Sequence, residues 1–200
     1  MFRTALALTA LSLTALLGLA LPSSAQTAQA TPIASVTAEA DVLAYGLSGY
    51  SGIFSVTLPS KLQVAFGVGR YDPPSFLLSG DANYDQAQWE ATVTSIQVAR
   101  ATYRFRGAMK SGPALGAIVL NQNWRLSSEP LAGETQFRTL SVGVTGGYYI
   151  HLGSHFYLYP TAAFTYNDVS GSTSINGTSY AVERFSPNAS LHAGWEWGRR

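Results

Sequence analysis

The sequence predicts an all-β protein, an antiparallel up-and-down transmembrane β-barrel of about eight strands behind an N-terminal signal peptide. Three observations carry this expectation. From Ser190 to Trp197, the residues Leu191, Ala193, Trp195 and Trp197 fall on one face, and Ser190, His192, Gly194 and Glu196 on the other. That is a period of two, with bulky apolar groups opposed to small or polar ones. The same pattern recurs through most of the chain, and short connections alternate with long ones.

The leader comes first. Arg3 gives a positive start, Ala5 to Leu21 is an apolar run, Pro22 breaks it, and Ser23-Ser24-Ala25 offers the small residues a signal peptidase reads. Residues 1–25 are therefore expected to be a signal peptide, with cleavage as late as residue 30 also open. A linker, 26–32, leads to a barrel domain over 33–200. No cysteine is present, which excludes disulfides, a lipoprotein anchor, a Cys-based zinc site and a thiol nucleophile. Charged residues make up only 12% of the chain, against about 25% for ordinary soluble domains. The formal net charge of +1 leaves no basic excess for nucleic acid. Past the leader no apolar run is long enough for a spanning helix, so strands must do any crossing.

The first candidate strand alternates Ala34, Val36, Ala38, Ala40, Val42 and Ala44 with Ser35, Thr37, Glu39 and Asp41. Its alanine content also suits a short helix, but an even strand count requires it. The second, near 49–58, sets Tyr50, Phe54, Val56 and Leu58 against Ser51, Ser55 and Thr57. After Pro59-Ser60, the third sets Leu62, Val64, Phe66 and Val68 against Gln63, Ala65, Gly67 and Gly69. The fourth, about 92–105, is unusual: Ala99, Ala101, Tyr103 and Phe105 oppose Arg100, Thr102 and Arg104. In the fifth, 114–126, Ile118, Leu120 and Trp124 oppose Asn121, Asn123 and Arg125.

The sixth strand, about 139–150, has Leu140, Val142, Val144, Tyr148 and Ile150 on its bulky side. Ser141, Gly143, Thr145, Gly147 and Tyr149 lie opposite. The seventh sets Phe156, Leu158, Ala162, Phe164 and Tyr166 against Tyr157, Tyr159, Thr161 and Thr165. Pro160 cannot donate to a ladder, so a bulge is expected there. Asn176-Gly177 signals a tight hairpin standing above the barrel. The eighth strand is 186–197.

Connections near Pro59, Lys110 and Gly153 are short; those over 72–90, 127–134 and 168–183 are longer and carry most of the acids. Outer-membrane barrels have short periplasmic turns and long external loops. The long, acidic side is therefore expected outside the cell.

On these features the chain resembles the small eight-stranded outer-membrane β-barrel family, whose members share an "outer membrane protein beta-barrel" domain. The resemblance spans about Ile33 to Trp197 and rests on pattern and on segments such as SIQVARATYRFR, GGYYIHLGSHFYLYP and NASLHAGWEW. It implies residence in the outer membrane of a Gram-negative cell, contact with its lipid, and insertion by the barrel-assembly machinery. Members often end on an aromatic, whereas here Gly198-Arg199-Arg200 follows Trp197.

Candidate chemistry is sparse. Ser190, His192 and Glu196 share a face and have the side chains of a hydrolytic triad, but residues two apart on a strand stand roughly 7 Å apart, too far for a nucleophile–base bond. His151 and His155 flank a turn without a third metal ligand nearby. Asp81, Asn83 and Asp85 alternate as in calcium loops but lack an EF-hand's glycine and distal Glu. No catalytic, metal or cofactor site is expected. Tyr50, Trp124, Tyr166, Trp195 and Trp197, near strand ends, suit an aromatic girdle. Arg100 and Arg104 point inward if their neighbours face lipid, and buried guanidinium groups need partners. Glu39, Asp41 and Glu196 share the inward parity, so these five residues are expected to form a structural polar network in the lumen.

The function expected is that of an integral outer-membrane barrel with a structural, adhesion or surface-binding role and an unidentified ligand for its loops. The alternative is a soluble, lipocalin-like exported barrel, which would turn its bulky face toward a cavity holding a small apolar ligand.

Overall fold

A computed structural model describes residues 33–75 and 78–198. The expected signal peptide and linker lie outside the described residues. Eight long strands form the wall: β1 (Ser35–Asp41), β2 (Tyr50–Thr57), β3 (Leu62–Tyr71), β4 (Glu90–Arg104), β5 (Gly112–Ser128), β6 (Gly133–His151), β7 (Phe156–Gly171) and β10 (Phe185–Gly198). They close in the order β1-β10-β7-β6-β5-β4-β3-β2, every neighbour antiparallel. Closure falls on β1, whose Val36 pairs with Trp197 on one side and Val56 on the other. A closed sheet has no edge, so every wall strand can satisfy its backbone without water.

Strand parity sorts the side chains. Phe66 and Val144 are 63% and 61% exposed, and Phe54, Val68, Val142, Phe164 and Trp197 also stand out from the wall. Thr37, Ser55, Thr57, Thr102, Ser141, Thr145 and Thr165 are buried inside it. The bulky face points away from the lumen, which removes the premise of the soluble carrier with an apolar cavity. From Leu140 to Ile150, strand β6 climbs about 34 Å, or about 26 Å along the normal at a 40° tilt. An apolar band near 25 Å tall is what an outer-membrane wall requires.

Four local expectations change. The first strand ends at Asp41, whose Oδ1 accepts the Leu43 N–H at 3.0 Å and caps a short helix, α1 (Val42–Gly46). Val42 and Ala44 therefore leave the sheet. The fifth strand faces the other way: Ile118, Leu120 and Trp124 point inward, and Asn121, Asn123 and Arg125 outward. Ile118 pairs with the inward Arg100, and this pairing sets the parity of the strand. Pro160 needs no bulge. The β6–β7 register is the same on both sides of it, and the ladder lapses only between the Gly147–Thr161 and Ile150–Leu158 pairs. Finally, β5 and β6 run on beyond the band, so the expected long connection over 127–134 narrows to a tip at 129–132.

At the opposite end the connections at 58–61, 105–111 and 152–155 stay short. The 72–89 connection contains a second helical turn, α2 (Tyr84–Ala87), and the segment after β7 carries the hairpin β8 (Ser174–Ile175) and β9 (Thr178–Ser179). Asn176 and Gly177 both have positive φ, 48° and 86°, as a type I′ turn demands.

Candidate functional site

The lumen near the short-turn end holds buried charge. Arg100 on β4 donates to Oε1 of Glu39 on β1, and Tyr157 O–H donates to Oε2 of the same carboxylate at 2.8 Å. Four residues along β4, Arg104 grips Glu196 on β10 with both terminal nitrogens, at 2.7 and 3.1 Å. Ser35 O–H at 2.5 Å and His151 Nε2 at 2.8 Å complete the shell of Glu196. Such bidentate forks fix geometry as well as charge. Two acids oppose two guanidinium groups, and the carboxylates are wholly buried.

Tyrosines fill the space between these pairs. Tyr149 and Tyr159 stack with centroids 3.9 Å apart, Arg104 lies 4.0 Å over the Tyr149 ring, and Arg100 lies 5.0 Å over the Tyr159 ring. Desolvated cation–π contacts of this kind contribute about 2 kcal/mol. Tyr149 O–H donates to Oε1 of Gln63 at 2.6 Å. Two glycines make room for the rings. A Cβ on Gly194 would stand 2.5 Å from the Tyr157 ring, and one on Gly147 would stand 2.6 Å from Tyr159. Both alternate with bulky residues, so small inward residues on β6 and β10 admit large ones on β7.

Of the five residues expected in this network, the structure brings together Arg100 with Glu39 and Arg104 with Glu196. Asp41 meets neither arginine, because it caps α1. The tyrosines and Gln63 were missed as members. Their signal was inward parity alone, which does not show that rings from β6 and β7 will meet arginines from β4.

A second core closes the long-loop end. Leu78, Ala87, Trp89, Ala91, Leu126, Phe137 and Ile175 are buried together, with Tyr84, Trp124, Leu131, Tyr180 and Val182 packed around them. Trp124 stacks on Phe137 at 5.7 Å and donates Nε1–H to Thr139 at 3.0 Å. It is therefore part of this plug and not of the girdle, whereas Tyr50, Tyr166, Trp195 and Trp197 do stand outward. A bulge between Val93 and Ser95 shifts the parity of β4, and Ala91 and Val93 turn inward beneath the cap.

Asp81 ties the cap together. One oxygen accepts Trp89 Nε1–H at 3.1 Å and the Asn83 N–H at 2.8 Å; the other accepts the Ala181 N–H at 2.7 Å. Asn83 Nδ2 reaches the Ser179 carbonyl at 2.8 Å. Of the residues weighed for calcium, Asp81 and Asn83 thus join two loops. Burial pushes the Tyr180 phenol above its usual range, and the Asp81 and Glu183 carboxylates add to the rise.

The other candidates also find structural partners. Glu196 is engaged with Arg104, His151 and Ser35, and His192 lies 5.9 Å from the Tyr159 ring, so Ser190, His192 and Glu196 do not assemble as a triad. His155 Nδ1 bonds the Glu196 carbonyl at 2.8 Å, and its ring stacks on Trp195. Among the described residues no group of three His, Asp or Glu is placed to hold a metal.

No protein-family model and no curated protein sequence matches the chain. Solved structures do. A major outer membrane protein from Thermus thermophilus is similar at 12% identity and a TM-score of 0.50, over 83% of this chain and 100% of that one. The N-terminal β-barrel domain of Pseudomonas aeruginosa OprF is 15% identical over 82% of this chain and 96% of that one, with a TM-score of 0.49. Neisserial surface protein A is 18% identical over 83% and 94%, with a TM-score of 0.43. The closed eight-strand topology, the outward apolar band and the Thermus likeness together give this chain the fold of the small outer-membrane β-barrels.

Proposed function

We propose that this protein is an integral outer-membrane barrel with a structural or surface-binding role, its lumen sealed and its long acidic connections on the cell exterior. The signal at 1–25, cleaved there or as late as residue 30, delivers the chain to the periplasm, and the barrel-assembly machinery inserts the domain at 33–200. The observation that carries the reading is the apolar exterior of a closed barrel whose interior is filled with paired charge and aromatic rings. Water-filled porins need about twice as many strands. The reading assigns no catalytic step, and a partner of the loops meets a surface rich in carboxylates.

Fractionation tests it directly. The protein should partition with outer membranes and change gel mobility on heating in detergent. Recovery from periplasm without detergent would overturn the proposal. Epitope tags within 72–89 or 172–184 should be detected on intact cells, whereas a tag beside Lys110 should not. Planar-bilayer recordings should show no steady large conductance; a stable wide pore would refute the sealed lumen.

A further inference from the structure

The wall closes less deeply at one seam than elsewhere. β1 has 7 residues and β10 has 14, and their pairing runs only from Ser35–Gly198 to Asp41–His192. Continued, this register would set residues 42–46 opposite 191–187, but those 5 residues form α1. Leu47 then accepts the Asp72 N–H at the head of β3, so the chain turns away from β10. The upper half of β10 pairs with β7 alone. This flank lies within the apolar band, for Pro187 is in register with Phe164, and Phe164 with Val144.

Exposure and backbone bonding both mark an opening there. Pro187, Asn188 and Ala189 are exposed in succession, on both faces of the strand, and among the described residues of the band Asn188 is the one inward side chain that is exposed. Glu196 N–H bonds toward β7, so by alternation Ala189 N–H points to the β1 side. It has no partner among the described residues, and Pro187 has no N–H to satisfy. The lumen behind the gap is apolar and loosely filled. Ile53, Val98 and Ile118 point inward above the ion pairs and are only half-buried, whereas Thr37, Thr57 and Thr102 at the base are fully buried. A Cβ on Gly67 would stand 2.5 Å from Ile53 and 2.8 Å from Val98, so glycine lets these two meet on the inner wall. The inward positions of β6, β7 and β10 at this level are small: Gly143, Ala163 and Ser190. The ion-pair base and the apolar cap separate this space from water at either end, which leaves the gap as its entrance.

We propose that this gap between β10 and α1 is a lateral portal through which the hydrocarbon chain of a long-chain fatty acid enters the lumen from the membrane, to lie against Ile53, Val98 and Ile118. The proposal rests on the membrane reading above and adds a ligand to it. The entrance faces hydrocarbon, so only a molecule dissolved in lipid reaches it. The two guanidinium groups below are already paired with carboxylates, so a phosphorylated lipid finds no free counter-charge inside. An unbranched apolar chain needs none. The test uses the whole barrel in phosphatidylcholine vesicles with palmitic acid carrying a mid-chain diazirine, irradiated and mapped residue by residue by mass spectrometry. Adducts should form on the inward Ile53 and Val98 as well as on the outward Val142 and Val144. Ser190→Trp, which sets an indole inside the gap, should reduce the inward adducts to background and leave the outward ones. Ile118→Trp, which fills the space from β5, should do the same. Ala189→Trp, beside Ser190 but outward, should leave both sets unchanged, and heat-shifted mobility shows that each variant is folded. Outward adducts without inward ones would overturn the portal, as would undiminished inward adducts in the Ser190 and Ile118 variants. Absence of the outward adducts would instead break the membrane reading, and the portal with it.

Discussion

The two ends of the lumen are closed by different chemistry. At the short-turn end, residues from five wall strands meet as ion pairs and stacked tyrosines. At the long-loop end, apolar side chains from connections and protruding strands meet in a small hydrophobic core. The first end lies inside a rigid closed sheet, where buried charge can be matched to fixed partners. The second depends on segments whose order comes from tertiary packing and from the Asp81 bonds. Loss of a charge at the base should therefore be felt by the whole barrel, and loss of packing at the cap should be felt locally.

The largest expected effect breaks the base. Arg104→Ala leaves the Glu196 carboxylate buried without its fork and should cost about 3–5 kcal/mol in reversible unfolding from detergent; Arg100→Ala should cost a similar amount. Adding Glu196→Gln to the first should recover part of the loss. Additive losses would show that the pair is not coupled.

Next comes the wall against the lumen. Val144→Arg places a charge in the apolar band and should cost about 2–4 kcal/mol. Thr145→Val, one residue away but inward, should be measurably milder. Equal costs would mean that the outward face does not meet lipid.

At the cap, Asp81→Ala removes bonds from Trp89, Asn83 and Ala181. Local opening should become about 1–3 kcal/mol easier, seen as faster proteolysis of 72–89 and 172–184 with heat-shifted mobility unchanged. Lowered stability of the whole barrel would erase the distinction between the two ends. The smallest effect should come from Gly177→Ala. It strains a φ of +86° in the hairpin that carries Ile175 into the cap, a cost of about 1 kcal/mol confined to the same loops.

Much of the barrel was legible because strand parity has a period of two and lipid demands an unbroken apolar face. The inward direction of Arg100, Arg104, Glu39 and Glu196 follows from that rule alone. It misled at β5, for an equally physical reason. The surroundings of the wall change from lipid to water along the strand, and from the edge of the band, where Asn121 stands opposite Leu140, it is the polar side, Asn121, Asn123 and Arg125, that turns outward.

Asp41 shares the parity of Glu39, yet a strand ending two residues later makes it a helix cap. Cap residues such as Leu78, Trp89 and Ile175 lie in connections without periodicity, so no local pattern could show that they converge. By itself the sequence determined the strands, the two faces of each wall strand but β5, the even count and the end that carries the long acidic connections. Closure of β1 against β10, with the register it imposes, decided that Glu39 meets Arg100 and Glu196 meets Arg104. Such contacts join residues far apart in the chain, and their pairing depends on strand stagger around the barrel, a property of the closed sheet and of no single strand.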